Sequence, residues 1–321
     1  MAQEKILVVL PVGDDDRRKI KEAAPDAEIV YCDVEKVTKE MVQCANVILG
    51  NVRPEYLAGS ENLQWIQLNN AGTEGYCEQG ILPEHALLTN ATGAYGMAIS
   101  EHMTGMLLAI QKHFDEYFAQ QQKHCWKRRE HMTVIEGSTT LVIGLGDIGS
   151  AFARKMNAMG SHVTGIRKSN QPKPEFVEKQ YTMEALHNLL PKADIVALCL
   201  PGYDLTRHVI GEKELELMKE NAILLNVGRG MCVDSDALYQ ALVQRKIYGA
   251  GLDVTDPEPL PYNHPLWDAP HTLITPHVSG LFSLPASLNK IITITIDNLI
   301  RYEQGKELRN QIDRNTGYVK R

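Results

Sequence analysis

Three glycines, Gly144, Gly146 and Gly149, stand in G-x-G-x-x-G spacing between the apolar run 139–143 and the helical pattern 150–159. A strand entering a helix through such a loop can take a pyrophosphate. The first glycine allows the tight turn, the second lets the backbone approach the phosphates, and the third lets helix and strand pack closely. The helix N-terminus then offers N–H groups and the positive end of its dipole. A purely structural turn is the plainer reading, but the strand, turn and helix context favours a dinucleotide. About 20 residues on, where a ribose-binding acid is expected, the sequence has Arg167, Lys168 and Ser169 instead. Two cations and a hydroxyl pair with a 2′-phosphate that a carboxylate would repel, which favours NADP(H) and leaves NAD(H) possible. The alternative is a solvated basic turn. The missing acid also weakens a methyltransferase reading.

Three further residues follow β-type runs: Arg229 after 224–228, Glu258 within 252–259, and His277 within 274–280. Singly they read as a surface arginine, a loop glutamate and one of 11 histidines. Together they supply what reduction of a 2-keto acid requires. A guanidinium grips the carboxylate bidentately, and an imidazolium protonates the carbonyl oxygen as hydride arrives. A carboxylate beside an imidazole orients it and favours its charged form. In the N-terminal part, Asn70, Ala71 and Gly72 follow the run 64–68, where backbone amides and small side chains could hold a substrate carboxylate, with a plain turn as the alternative. Asp14, Asp15 and Asp16 follow the first apolar run and would repel a phosphate, so the nucleotide belongs to the second half.

The elements that must position these groups form two βα series. Short apolar runs at 6–10, 27–31, 46–49, 64–68 and 86–88 form the first, and 140–143, 162–165, 195–200, 222–226, 248–252 and 272–274 form the second. Alternation with amphipathic segments predicts parallel sheets, and near-continuous apolar runs predict sheets covered on both faces. A helix is expected over 97–122, with Met103, Met106, Leu107, Ile110 and Phe114 on one stripe, and another over 286–302 ending at Gly305. The expected architecture is α/β, with two Rossmann-like parallel-sheet domains, one flavodoxin-like and one dinucleotide-binding, and a cleft between them. Residues 1–96 and 285–321 would form a discontinuous substrate domain, and 97–284 the cofactor domain.

The 321 residues allow two domains of ordinary size, and 44% hydrophobic with 23% charged residues describes a globular chain. A net charge of −7 argues against a nucleic-acid surface. No run reaches membrane length, and the segment 6–10 is too short for a signal-peptide core. Six scattered cysteines lack a C-x-x-C pair or a histidine at ligand spacing, so neither zinc site nor disulfide framework is expected and a cytoplasmic setting fits.

The sequence resembles the D-isomer-specific 2-hydroxyacid dehydrogenase family, which includes phosphoglycerate dehydrogenases and glyoxylate/hydroxypyruvate reductases. The likeness spans nearly the whole chain. Its residues are 99–102, 144–149, Leu200 and Pro201 with 206–208, 226–230, Asp234 with Ala237 and Leu238, 251–259 and 276–280. The resemblance implies Arg229 as the substrate binder, His277 as acid/base and Glu258 as its partner. It implies Asp147 and Ile148 at the diphosphate, and Val227, Gly228 and Asp253 at the nicotinamide. The resemblance also implies that the segment after Leu200 and Pro201, with Thr206, passes near the adenosine and that Gly280 completes the cofactor set. A homodimer through the cofactor domain and its long helix is likewise implied. Two departures stand out: Arg167 replaces the acid of NAD-using members, and Asp147 sits between the glycines, unfavourable unless its side chain turns to solvent. The expected activity is an NADP(H)-preferring 2-keto acid reductase. Alternatives are an NAD-using phosphoglycerate or phosphite dehydrogenase-like member and a cofactor-sensing scaffold, though the chain lacks the extensions expected of a scaffold. Loops at 51–53 and 70–76, with Leu281 and Phe282, would choose among small 2-keto acids.

Overall fold

Both apolar series close into parallel sheets, in a computed structural model that describes residues 3–130, 132–168 and 171–320. The chain divides into two units, 3–95 with 281–320, and 96–280. In the first, strands β1 (Lys5–Val8), β2 (Glu28–Tyr31), β3 (Val47–Leu49), β4 (Trp65–Gln67) and β5 (Leu87–Thr89) lie in the order β2-β1-β3-β4-β5. Helices α1 (Asp14–Ala23), α2 (Lys39–Cys44) and α3 (Pro54–Leu57) connect them. Central β3 and β4 are buried on both faces, which is why Val47, Ile48 and Leu49 run on without a polar break, whereas edge strand β2 alternates.

The helix Pro285–Glu303 packs on α1 within this unit. A buried polar network fixes it. Asn298 donates from Nδ2 to Gln67 Oε1 (2.8 Å), Thr89 Oγ1 donates to the same oxygen (2.7 Å), and the Trp65 ring stacks on Tyr302 at 5.3 Å. Beyond the helix, Ile312–Asp313 and Tyr318–Val319 pair as an antiparallel ribbon that the periodicity does not reveal. Each of its strands is two residues long, too short for a pattern, although the Asp313 to Gly317 turn is rich in turn formers.

In the second unit, β6 (Thr139–Ile143), β7 (His162–Ile166), β8 (Lys179–Tyr181), β9 (Ile195–Leu198), β10 (Ile223–Asn226), β11 (Gly249–Leu252) and β12 (Thr272–Ile274) form a parallel sheet. Their order is β12-β11-β10-β9-β6-β7-β8, so strand order reverses between β6 and β9, where open α/β sheets have their ligand crevice. The helices are α4 (Gly96–Gln111), α5 (Phe114–Gln122), α6 (Asp147–Ala158), α7 (Leu186–Leu189), α8 (Glu212–Leu217) and α9 (Ser235–Val243). Among the described residues no helix is long and apolar enough to cross a membrane.

Two expectations need correction. The helix expected over 97–122 is two helices, because His113 adopts a left-handed conformation (φ +55°) and interrupts the ladder. Met103, Met106, Leu107 and Ile110 are buried as the stripe predicts, but Phe114 lies beyond the break and is 46% exposed. Strand β8 escaped the periodicity because it is an exposed edge beginning with Lys179, the composition that keeps edges from pairing further.

Candidate active site

The glycine loop leaves β6 at the order reversal. Gly144 has φ +103°, and a Cβ there would lie 2.6 Å from the Cys199 carbonyl oxygen. At Gly149 a Cβ would come within 1.9 Å of the Gly144 carbonyl oxygen, so the helix-to-strand contact tolerates no side chain. Gly146, the extended residue before α6, has no atom within 4 Å of its Cβ position. Ile148 is half-buried in the first turn of α6. The Asp147 carboxylate turns neither to solvent nor into the loop. Its Oδ2 accepts the Gly96 N–H (2.9 Å) at the start of α4, where a Cβ on Gly96 would lie 2.5 Å from Oδ1. The α6 start is thereby relieved of a facing negative charge, and Asp147 can meet a phosphate only through its backbone.

Arg167 and Lys168 follow β7. Arg167 is half-buried, with its N–H on the Tyr181 carbonyl (2.9 Å), and exposed Lys168 places Nζ 6.0 Å from the Tyr203 ring centre. The end of β7 therefore lies beside the loop that continues from Leu200 and Pro201. Ser169 lies outside the described residues. Thr206 lies in this loop, 1% exposed, and its hydroxyl engages the Pro201 and Tyr203 carbonyls (2.8 and 2.9 Å), which shapes the loop.

Arg229 follows β10 on a turn clamped by Asn226. The fully buried amide accepts the Gly228 N–H (3.1 Å) and donates to the Arg229 carbonyl (3.0 Å). Arg229 Nη1 donates to the Gly228 carbonyl (2.8 Å). Buried Val227 leads into this turn, and a Cβ on Gly228 would meet the Leu200 carbonyl oxygen at 2.3 Å. A Cβ on Gly230 would meet the Thr255 carbonyl oxygen at 1.8 Å, so the turn presses directly on the segment leaving β11.

That segment carries Asp253 and Glu258. Asp253 is 1% exposed and accepts four hydrogen bonds from the stretch after β12. Thr275 Oγ1 and the Val278 N–H donate to Oδ1 (2.6 and 2.9 Å), and the Ser279 N–H (3.0 Å) and hydroxyl donate to Oδ2. About four lone-pair sites are all a carboxylate has, so these four bonds tie Asp253 firmly to that stretch. They fold the loop that carries His277 and ends at Gly280. Since the Thr275 hydroxyl donates to Asp253, His102 Nε2 donates to Thr275 (2.9 Å) from α4. His277 itself has φ +53° and sets Nδ1 2.6 Å from Glu258 Oε1. Both side chains are about half exposed (52 and 42%). Arg229, Glu258 and His277 thus leave three adjacent strands at their carboxyl ends.

Sequence reasoning did not assign Asn226, Thr275, Ser279 or His102 a role. The available signal was a polar residue directly after each apolar run. His102 carried none, because its partner is 173 residues away in sequence. In the first unit, the carbonyls of Asn69, Asn70 and Ala71 accept from Tyr95 Oη, the Ala91 N–H (2.8 Å) and Asn90 Nδ2 (2.6 Å). No acceptor among the described residues meets the N–H groups of Asn70, Ala71 and Gly72.

Comparison with known proteins bears on what these groups do. The family model for the D-isomer specific 2-hydroxyacid dehydrogenase NAD binding domain matches residues 104–279. A glyoxylate reductase of Thermococcus litoralis is 30% identical over 281 residues, covering 85% of this chain and 79% of the relative. The crystal structure of a D-isomer specific 2-hydroxyacid dehydrogenase family protein from Aeromonas salmonicida subsp. salmonicida A449 superposes with a TM-score of 0.85 at 30% identity, over 98% of this chain and 100% of the other. A D-isomer specific 2-hydroxyacid dehydrogenase from Xanthobacter autotrophicus Py2, crystallised with NADPH and MES, gives a TM-score of 0.80 at 26% identity, over 99% of this chain and 100% of the other. With its glycine loop and its strand-end arginine, glutamate and histidine, the chain belongs to the D-isomer specific 2-hydroxyacid dehydrogenase family and is an NAD(P)-dependent oxidoreductase acting on CH–OH groups.

Proposed function

We propose that this chain is a D-2-hydroxyacid dehydrogenase that works mainly as an NADP(H)-preferring reductase of small 2-keto acids. The observation that carries the reading is the 2.6 Å pair of His277 Nδ1 and Glu258 Oε1 after β12 and β11, the two strands next in sheet order to the β10 that presents Arg229. Glu258 holds the ring by Nδ1 and leaves Nε2 as the nitrogen that exchanges a proton with the substrate oxygen. Arg229 binds the carboxylate and polarises the carbonyl, and the free N–H groups of Asn70, Ala71 and Gly72 suit an anion.

The residues present fit a dinucleotide. The open Gly146 position and the α6 start, cleared of the Asp147 carboxylate, accept a diphosphate. Arg167 and Lys168 would hold a 2′-phosphate, and the NADPH bound to the Xanthobacter relative supports that choice. Leu200, Val227, Gly228 and Gly280 line the remainder by backbone and apolar contact. A nicotinamide held there would supply hydride to the carbon whose oxygen His277 protonates. The homodimer is proposed through the cofactor domain and its helical stretch 97–122, where Phe114 and Phe118 are 46 and 64% exposed.

Oxidation of NADPH and NADH measured in parallel across glyoxylate, hydroxypyruvate, pyruvate and bulkier 2-keto acids tests this. Turnover with NADPH at least tenfold above NADH is expected. A preference for NADH overturns the 2′-phosphate assignment, and binding of either cofactor without turnover on any keto acid overturns the reductase.

A further inference from the structure

The elbow between α4 and α5 gathers side chains that hydride transfer does not use. His113 is the left-handed residue of the elbow, Glu116 lies in the first turn of α5, and His271 (φ +50°) directly precedes β12. Gly249 explains how they meet. A Cβ there would lie 2.9 Å from Ile110 Cγ2 and 2.6 Å from the His271 carbonyl oxygen, so α4 and residue 271 both press on β11 where it has no side chain.

Glu116 Oε1 stands 3.5 Å from His113 Nδ1 and 3.9 Å from His271 Nδ1, and one donor atom from each of the three lies within 4.8 Å of the others. Donors around a tetrahedral zinc, with bonds of about 2.0–2.1 Å, are roughly 3.4 Å apart. Small side-chain rotations close that gap. The His271 Nδ1 is buried and meets no hydrogen-bond partner among the described residues, and native interiors rarely leave such an atom unpaired. Arg129 engages Glu116 Oε2, which turns Oε1 toward the histidines, as outer partners orient metal-binding carboxylates. Tyr248 buttresses both rings, stacking on His271 at 4.5 Å and placing its hydroxyl 3.2 Å from His113 Nδ1.

We propose that His113, Glu116 and His271 bind a divalent transition-metal ion of the zinc class, with water in the fourth position. Two imidazoles and one carboxylate select Zn²⁺, Co²⁺ or Ni²⁺ over Mg²⁺ and Ca²⁺, which demand oxygen cages. Burial holds His271 below the ordinary imidazole value, keeping it in the neutral form that ligates. The site lies at the opposite end of β12 from His277. The ion therefore ties the elbow to the sheet and takes no part in the reaction. Ligand spacing in the sequence could not disclose it, since the two histidines are separated by most of the unit.

The proposal is independent of the reductase reading, and its test does not pass through activity. Full-length protein freed of metal by chelator dialysis is titrated with Zn²⁺ by calorimetry and with Co²⁺ by visible absorption. One ion per chain is expected, with Co²⁺ bands of a four-coordinate nitrogen and oxygen site. His271→Gln and Glu116→Gln each weaken binding by about 100-fold or more, while kcat/KM with NADPH stays within twofold. Zn²⁺ raises the melting temperature of the wild type and not of either variant, whose metal-free melts report whether they fold. Absence of stoichiometric binding overturns the proposal, and so does binding, or thermal stabilisation, that both substitutions leave unchanged.

Discussion

Each sheet reverses strand order once, between β1 and β3 in the first unit and between β6 and β9 in the second, and the turns at these two points differ in chemistry. After β1, Gly13 leads into α1 with Asp14, Asp15 and Asp16 in its first turn, where Lys19 lies 2.8 Å from Asp15 and 3.8 Å from Asp16. The positive end of α1 is satisfied by its own carboxylates. A Cβ on Gly50 would also lie 2.7 Å from Val9 Cγ2, so the backbone behind the turn is closely packed. After β6, the one acid of the turn is turned away to Gly96, and the helix start is left open. The same βα geometry thus accepts or refuses an anion according to a handful of residues in the first turn.

The largest effect that sharpens this contrast comes from the glycines. Gly149→Val places a side chain against the Gly144 carbonyl, 1.9 Å from the Cβ position, so NADPH binding measured by fluorescence titration should fall below detection. Gly13→Ala meets nothing closer than Asp16 Oδ2 at 4.0 Å, and should leave binding unchanged and cost about 1 kcal/mol or less in a denaturant melt. Equal damage from both would erase the distinction between the turns.

Next in size is Asp253→Ala. It strips the half-buried N–H of Val278 and the buried N–H of Ser279 of their acceptor and frees the loop of His277. Kinetics should show kcat reduced by about 10²-fold, the effect of a 1 Å misplacement, with the NADPH dissociation constant changed less than threefold. A loss confined to NADPH affinity would place Asp253 at the nicotinamide. Arg167→Asp is smaller: loss of a charge-assisted bond should weaken NADPH by about 10- to 100-fold and leave NADH unaffected.

The smallest effect lies in the acid-rich first unit, where burial and the Glu4 carboxylate push Glu303 up to about 7. The folded protein holds this proton more tightly than the unfolded chain, whose value is near 4.5. Stability is therefore fully present below pH 4.5 and declines as pH rises through 7. Glu303→Gln should stabilise at pH 8 by about 1 kcal/mol or less, since the group is largely exposed and screened, and leave melts at pH 4 unchanged.

Much of this layout was legible because buried parallel strands leave continuous apolar runs, as at 195–198 and 223–226, and because a polar residue just after such a run is conspicuous. Arg229, Glu258 and His277 stand out for that reason. What holds them does not. Asn226 looks like the end of a strand and Asp147 like a misplaced charge until the Arg229 carbonyl three residues on and the distant Gly96 are brought alongside, and nothing local joins Asp253 to Ser279. The break at His113 is equally hidden, since its ring meets Tyr248 and His271 on other segments, which no local helical period reports.

The central claim is that His277, held by Glu258, passes the proton. The direct measurement is single-turnover NADPH oxidation by His277→Gln with the best 2-keto acid, beside NADPH affinity in the same protein. A rate lower by about 10²- to 10⁴-fold, with affinity within threefold of wild type, is the predicted result. A rate within tenfold of wild type would show that another group protonates the carbonyl.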